Sequence, residues 1–324
     1  MHKFGVVCVG KTTIDQILTL NPLRVKYHLD AKTGDLAFRH GEKIDVEESE
    51  FCIGGNATNV AVGLSRLGVK AALFSEIGDD EFGVKIRNEL GRESVDISGV
   101  KEGKGASSSF SVIINYRGER TIFIQKIKRE NDFHFGGLGA DYIFLTSLEQ
   151  EWRRVYKDVL SLVKGGCKLA FNPGTLQLQE GMDVVEKLLE KTDILFVNKE
   201  EAEQVVFGHE KRKRDNEVHY VRELLSGIQK MGAKCVVITN GKYGSHAIDE
   251  YGNFYQEGRF PGELVERTGA GDAYTSGFLA GVRSGRSVKE AMRCGAVNAA
   301  AVIGRVGATA GLLKIGEMEE RVHI

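Results

Sequence analysis

Gly269, Ala270 and Gly271 lead directly into Asp272, and a helix-compatible run of small and apolar residues follows from Ala273 to Val282. Side chains this small let a ligand approach the backbone closely. A helix that starts there offers unpaired N–H groups and the positive end of its dipole, which favour an anion such as a transferring phosphoryl group. A carboxylate at the same mouth is placed to take the proton of a hydroxyl nucleophile beside that anion. Taken alone, an acid in this position is more often a helix cap, so the rest of the chain has to decide.

Other polar residues stand at similar turning points. In GGNATN, Gly55 allows close approach, and Asn59 offers both a donor and an acceptor to a hydroxyl. Asn198 and Glu201, in FVNKEEAEQV, have the spacing of a capping box at a helix start. One match misleads. Gly5 to Thr12, GVVCVGKT, satisfies the phosphate-loop pattern GxxxxGK[ST]. Its variable residues, Val6, Val7, Cys8 and Val9, are strand formers with no reason to bend around a phosphate, so a strand is expected.

These residues need a scaffold. Short apolar runs at Phe4–Val9, Ala71–Phe74, Tyr142–Leu145, Leu169–Phe171, Ile194–Val197 and Cys235–Thr239 alternate with helical spacing, as in Val60, Ala61, Leu64 and Leu67 or Val155, Val159, Leu162 and Val163. Such alternation predicts a mostly parallel sheet covered on both faces. Two segments depart from it. Tyr27–Glu48 alternates apolar and polar residues, and Ser107–Ile124 reads as a hairpin turned at Arg117-Gly118. Both suggest a small lid outside the main sheet. Its apolar residues Phe110, Val112, Ile114, Ile122 and Ile124 predict a homodimer that covers the lid by two-fold symmetry.

The 324 residues carry 44 Lys and Arg against 45 Asp and Glu. That balance argues against a nucleic-acid or membrane-surface protein, and the basic run Lys211-Arg212-Lys213-Arg214 reads as a solvated loop. The five cysteines, Cys8, Cys52, Cys167, Cys235 and Cys294, are scattered without a CxxC pair. With no signal peptide and no membrane-spanning run, they point to free thiols in a reducing cytoplasm. The sequon Asn56-Ala57-Thr58 is then irrelevant to glycosylation.

RTGAGDAYTSGFLAG, Arg267 to Gly281, resembles the C-terminal signature of the ribokinase-like (PfkB) carbohydrate kinases, and GGNATNVAVGLSRLG, Gly54 to Gly68, resembles their N-terminal one. Asn198 and Glu201 match the family's NxxE motif. VVITNGKYGS is similar to the strand and turn at its nucleotide site, and NAAAVIGRVGA to the helix beside the adenine. The resemblance implies a three-layer α/β/α ribokinase-like fold with a mostly parallel central sheet and a small β-sheet lid. It is expected as a single domain over residues 1–324, with lid segments at about 27–50 and 105–126.

It further implies an ATP- and Mg²⁺-dependent kinase. Asp272 would be the base, and Gly269, Ala270 and Gly271 the anion hole. Asp15, Gly55 and Asn59 would bind the sugar. Asn198 and Glu201 would lie near Mg²⁺ and the phosphates, Glu201 acting through water because Mg²⁺ sheds its hydration reluctantly. Thr239, Gly241 and Gly244 would contact the nucleotide and Asn298 would approach the adenine, although an Asn within a helix is more often structural. GGNATN carries no cation, so an unphosphorylated sugar or sugar acid is expected. A sugar phosphate would need Lys11, Arg39 or Arg120. A nucleoside kinase shares these motifs, and a ligand-binding protein without turnover would not need the full set. Two departures stand out. Glu266-Arg267-Thr268 replaces the usual Asp-Thr-Thr, which argues against potassium dependence. KIKREND, Lys126 to Asp132, replaces a Gly-Ala-Asn segment, which argues against a direct substrate role there.

Overall fold

The computed structural model describes residues 4–21, 23, 27–30, 32–208 and 217–323, so the basic run Lys211–Arg214 lies outside the described residues. Fifteen strands are described: β1 (Phe4–Val9), β2 (Thr13–Thr19), β3 (Tyr27–Leu29), β4 (Leu36–Phe38), β5 (Glu48–Gly54), β6 (Ala71–Gly78), β7 (Asp96–Gly103), β8 (Phe110–Tyr116), β9 (Glu119–Ile124), β10 (Ala140–Leu145), β11 (Lys168–Phe171), β12 (Ile194–Asn198), β13 (Cys235–Thr239), β14 (Ser245–Ile248) and β15 (Phe254–Glu257). The helices are α1 (Asn56–Arg66), α2 (Glu81–Arg92), α3 (Trp152–Lys164), α4 (Thr175–Glu180), α5 (Met182–Leu189), α6 (Lys199–Phe207), α7 (Glu217–Lys230), α8 (Ala270–Arg283), α9 (Val288–Val302) and α10 (Ile315–Val322).

Nine strands form the main sheet in the order β15-β14-β13-β12-β11-β10-β1-β6-β7. Every pairing from β7 to β13 is parallel, and only β14 runs the opposite way, pairing antiparallel with β13 and with β15. The pleat of β1 shows how three layers arise. Val6 and Cys8 pack with α1, α8 and α9, while Val7 and Val9 pack with α3, α5 and α7, and all four are fully buried. Burying strands on both faces is what makes them read as unbroken apolar runs. The GVVCVGKT match is therefore strand: Val6–Val9 pair with β6 and β10 along their length.

The small sheet has the order β5-β2-β8-β9. The hairpin turn falls at Arg117 and Gly118, whose φ values of 54° and 79° suit a tight primed turn. Two details differ from expectation. From the first segment only β5 joins this sheet, while β3 and β4 form a separate two-stranded pair. The remaining strand is β2, which follows β1 directly. The register also divides the apolar residues between two faces. Val112 pairs with Phe123, and Ile113 with Ile122. Phe110, Val112, Ile114 and Phe123 thus share one face, whereas Ile122 and Ile124 lie on the other with Asp15, which pairs with Ser111.

Candidate active site

Helices α1 and α8 bring the two signatures together. Gly63 has no room for a Cβ because Ser276 of α8 occupies that space. Asn59 lies one turn before Gly63 on the same helical face, and Asp272 one turn before Ser276, so the close packing that needs Gly63 sets the two polar residues opposite each other. Asn59 Nδ2 donates to Asp272 Oδ2 at 2.8 Å. Asn59 is 4% exposed, and its Oδ1 is buried without a partner.

No side chain caps α8. Gly269 takes φ 78°, and a Cβ there would stand 2.6 Å from Ala308 Cα, so only glycine fits. At Gly271 a Cβ would meet nothing within 4 Å, which leaves the backbone facing open space. Asp272 keeps part of its surface open. Burial pushes its pKa up to about 7, helped by the negative charge of Glu201, while Asn59, Arg120 and Asn56 pull it down. A carboxyl poised near neutrality suits a proton acceptor. Asn56, at the first position of α1, is a site residue that sequence reading noticed only as part of a sequon. That sequon's Thr58 is fully buried and hydrogen-bonded to Thr12.

A cleft of about 200 Å³ runs from this helix start between β13 and α9. Thr239, Gly241, Gly244, Ala270 and Gly271 line it, together with apolar surface from α9. Asn298 does not. It is fully buried between α8 and α9, donating to Ala273 O at 2.9 Å and Ser276 Oγ at 3.2 Å and accepting from Leu313 N at 3.1 Å. The expected approach to adenine is thus corrected: a side chain with its bonds already made inside the core has none to offer, and Ala296, Ala299, Ala300 and Ile303 face the cleft instead.

Asn198 and Glu201 form a complete capping box at α6: Asn198 Oδ1 accepts from Glu201 N at 2.8 Å, and Glu201 Oε2 from Asn198 N at 2.9 Å. One Glu201 oxygen is left over, and burial raises its pKa. Among the described residues no three His, Cys, Asp or Glu converge on one point. A divalent cation here would take most of its ligands from phosphate and water, which suits Mg²⁺.

On the other side of Asp272, Asp15 is 8% exposed and accepts from Thr13 Oγ1 at 2.9 Å. Burial raises its pKa against the pull of Thr13, Ser111, Lys11 and Arg120. Gly54 and Gly55 carry no Cβ because Asp15 and the Lys11 carbonyl fill that space, and Gly55 takes φ 94°. The Glu266 departure is also explained. Its oxygens accept from Thr268 N at 3.1 Å, from the Thr268 hydroxyl and from Gly307 N at 2.9 Å, so the buried acid has protein partners on both oxygens. Arg267 pairs with Glu119 of the small sheet at 3.1 Å.

The family model described as "pfkB family carbohydrate kinase" matches residues 5–315. Among curated proteins, the 5-dehydro-2-deoxygluconokinase of Clostridium perfringens is 24% identical over 93% of this chain and 88% of its own. The fructoselysine 6-kinase of Escherichia coli is 28% identical over 79% and 91%. Among solved structures, the ribokinase of Arabidopsis thaliana complexed with ribose and ATP superposes with a TM-score of 0.77 at 19% identity, covering 100% of both chains. The nucleoside kinase of Burkholderia thailandensis in complex with inosine gives 0.78 at 17%, covering 98% of each. These likenesses extend the fold described above over the whole chain.

Proposed function

The chain belongs to the pfkB family of carbohydrate kinases, and from that premise we propose that it transfers the terminal phosphoryl group of ATP to a hydroxyl of a small unphosphorylated sugar or sugar acid. The observation that carries this is the pairing of Asp272 with Asn59 at the uncapped start of α8, between the nucleotide cleft and Asp15. Asp272 takes the acceptor proton, while the N–H groups of Gly269, Ala270 and Gly271 receive the phosphoryl charge. Asp15 accepts bonds from acceptor hydroxyls, and the free Oδ1 of Asn59 takes another. Thr239, Gly241 and Gly244 meet the nucleotide, whose base lies on the apolar face of α9. Mg²⁺, reached through water from Glu201, would neutralise phosphate charge when bound.

The curated relatives support a sugar or sugar acid as acceptor through their own activities. We assign the chain to one domain with the β5-β2-β8-β9 sheet as its lid, and to the cytoplasm, where its scattered free thiols would stay reduced. No described helix is long and apolar enough to cross a membrane. Exposed Phe51 and Phe123 on one face of the lid, with Ile122 and Ile124 exposed on the other, support a homodimer through it. ADP release measured across sugars, sugar acids, sugar phosphates and nucleosides tests the activity. Turnover confined to nucleosides or sugar phosphates would refute the acceptor, and ADP release with none of them would refute the kinase.

A further inference from the structure

A second polar cluster lies where the ends of β1 and β6 meet the segment after β9, and no step above uses it. Arg129 is 3% exposed. Its Nη2 donates to the Ser107 carbonyl and to Ser109 Oγ, but its Nε and Nη1 are buried without a hydrogen-bond partner. Glu76 Oε1 stands 4.0 Å from Nη1, and the other Glu76 oxygen accepts from Asn131 N at 2.7 Å. Across from them, Lys11 Nζ holds Glu149 Oε1 at 2.6 Å, and Glu149 Oε2 is buried without a partner. A recess of about 10 Å³ lies among these groups. That is room for about one water-sized group.

Leaving two donors of a buried guanidinium unpaired is costly unless a ligand or water completes them. The recess also adjoins the acceptor side. The Lys11 carbonyl fills the space a Cβ on Gly55 would need, and the Lys11 charge acts on Asp15. Ser109 O accepts from Ile14 N, next to Asp15.

We propose that this recess receives a carboxylate oxygen of the acceptor, held by Arg129 with Lys11, so that the acceptor is a hydroxy acid. The inference rests on the kinase reading above and narrows its substrate class. The unpartnered Nε and Nη1 of Arg129 are the donors such an oxygen would meet. A phosphate ester is the other source of anionic oxygen. Arg129 and Lys11 are already balanced by Glu76 and Glu149, so a single negative charge fits better than a double one.

The test uses six-carbon aldonates, the alditols of the same stereochemistry, and the alditol monophosphates. Binding to the intact chain is read by calorimetry and turnover by ADP release. The wild type should bind an aldonate at least about 30-fold more tightly than its alditol, the scale of a charge-assisted pair of hydrogen bonds. Arg129→Met should abolish most of that preference and Arg129→Lys restore part of it, with ATP affinity as the check on folding. Should Arg129→Met fail to fold, Lys11→Met must reduce the preference by itself. A preference for alditols or monophosphates, or an aldonate preference that survives Lys11→Met, overturns the inference. Turnover of alditols alone would remove the carboxylate site and leave the kinase standing. Selective aldonate binding without ADP release would do the reverse.

Discussion

Asp272→Asn separates catalysis from folding. The substitution keeps the side-chain volume, and the new amide can still accept from Asn59 Nδ2, which now stands 2.8 Å from Asp272 Oδ2. What disappears is the base, and a positioned base contributes about 10²–10⁴-fold, or roughly 3–5 kcal/mol of barrier. Turnover should fall by that factor with little change in ATP affinity. Stability should move the other way. Burial raises the Asp272 pKa from 3.8 to about 7 in the folded chain. A raised carboxyl pKa means the folded state holds its proton more tightly than the unfolded one. Ionising it therefore costs stability as pH rises from about 4 to 7, and that cost is fully present above 7. The neutral amide avoids it, so the variant should melt higher than the wild type at pH 8 and nearly level with it at pH 4. The same pKa sets activity: kcat/KM should climb about tenfold per pH unit below 6 and level off above 8. Initial rates of ADP release from pH 5.5 to 9, with melting curves over the same range, measure both. A variant retaining more than a tenth of wild-type turnover, or a flat wild-type profile, would refute Asp272 as the base.

Lys11→Ala should leave the ATP Kd within about twofold, because Val6–Val9 are strand and Lys11 pairs with Glu149 outside the nucleotide cleft; a collapse of ATP binding in a folded variant, read by calorimetry, would restore the phosphate-loop reading. Asn298→Ala should cost about 2–4 kcal/mol in denaturant unfolding, since it removes three buried hydrogen bonds and strands the Leu313 N–H. An unchanged midpoint with weakened ATP binding would return Asn298 to the adenine site. Solution scattering at micromolar concentration should give the mass of a dimer, and Phe123→Lys should shift it toward monomer. A wild-type monomer contradicts the lid contact.

The six apolar runs read from the sequence all became strands of the parallel part of the main sheet. They were legible because both faces of each are covered. Others were not legible, for different reasons: β14 is buried throughout, but at four residues, SHAI, it is too short and polar to stand out. In β7, DISGVKEG, charges interrupt every candidate run, and in β2, TIDQILT, Asp15 and Gln16 break the apolar run. The hairpin turn was legible in Arg117-Gly118, but the faces of the lid were not. Alternation along one strand is visible in a sequence. Which residues stand across from each other depends on pairing, and a shift of one moves Ile122 and Ile124 from the outer face to the one bearing Asp15. Asn59 and Asp272 are 213 positions apart. Only the resemblance of their two signatures placed them in one site, and the Gly63–Ser276 packing supplies the reason.

KIKREND marks the limit of such reading. Lys126, Lys128 and Glu130 are exposed, Ile127 is half-buried, and Arg129 and Asn131 are buried, so the segment alternates like a strand although its two buried positions are polar. Nothing in composition separates Lys128 from Arg129, and a charged run reads as a solvated surface. The choice between them follows from the surroundings. The inward position offers the Ser107 carbonyl, the Ser109 hydroxyl and the flank of Glu76. A guanidinium matches several such acceptors with one planar fork and is more weakly hydrated than an ammonium, so it loses less on entering. Those protein partners leave Nε and Nη1 free. The departure from a Gly-Ala-Asn segment thus replaces small side chains with a buried, directed donor next to the acceptor side, and a donor of that kind discriminates among acceptors by charge.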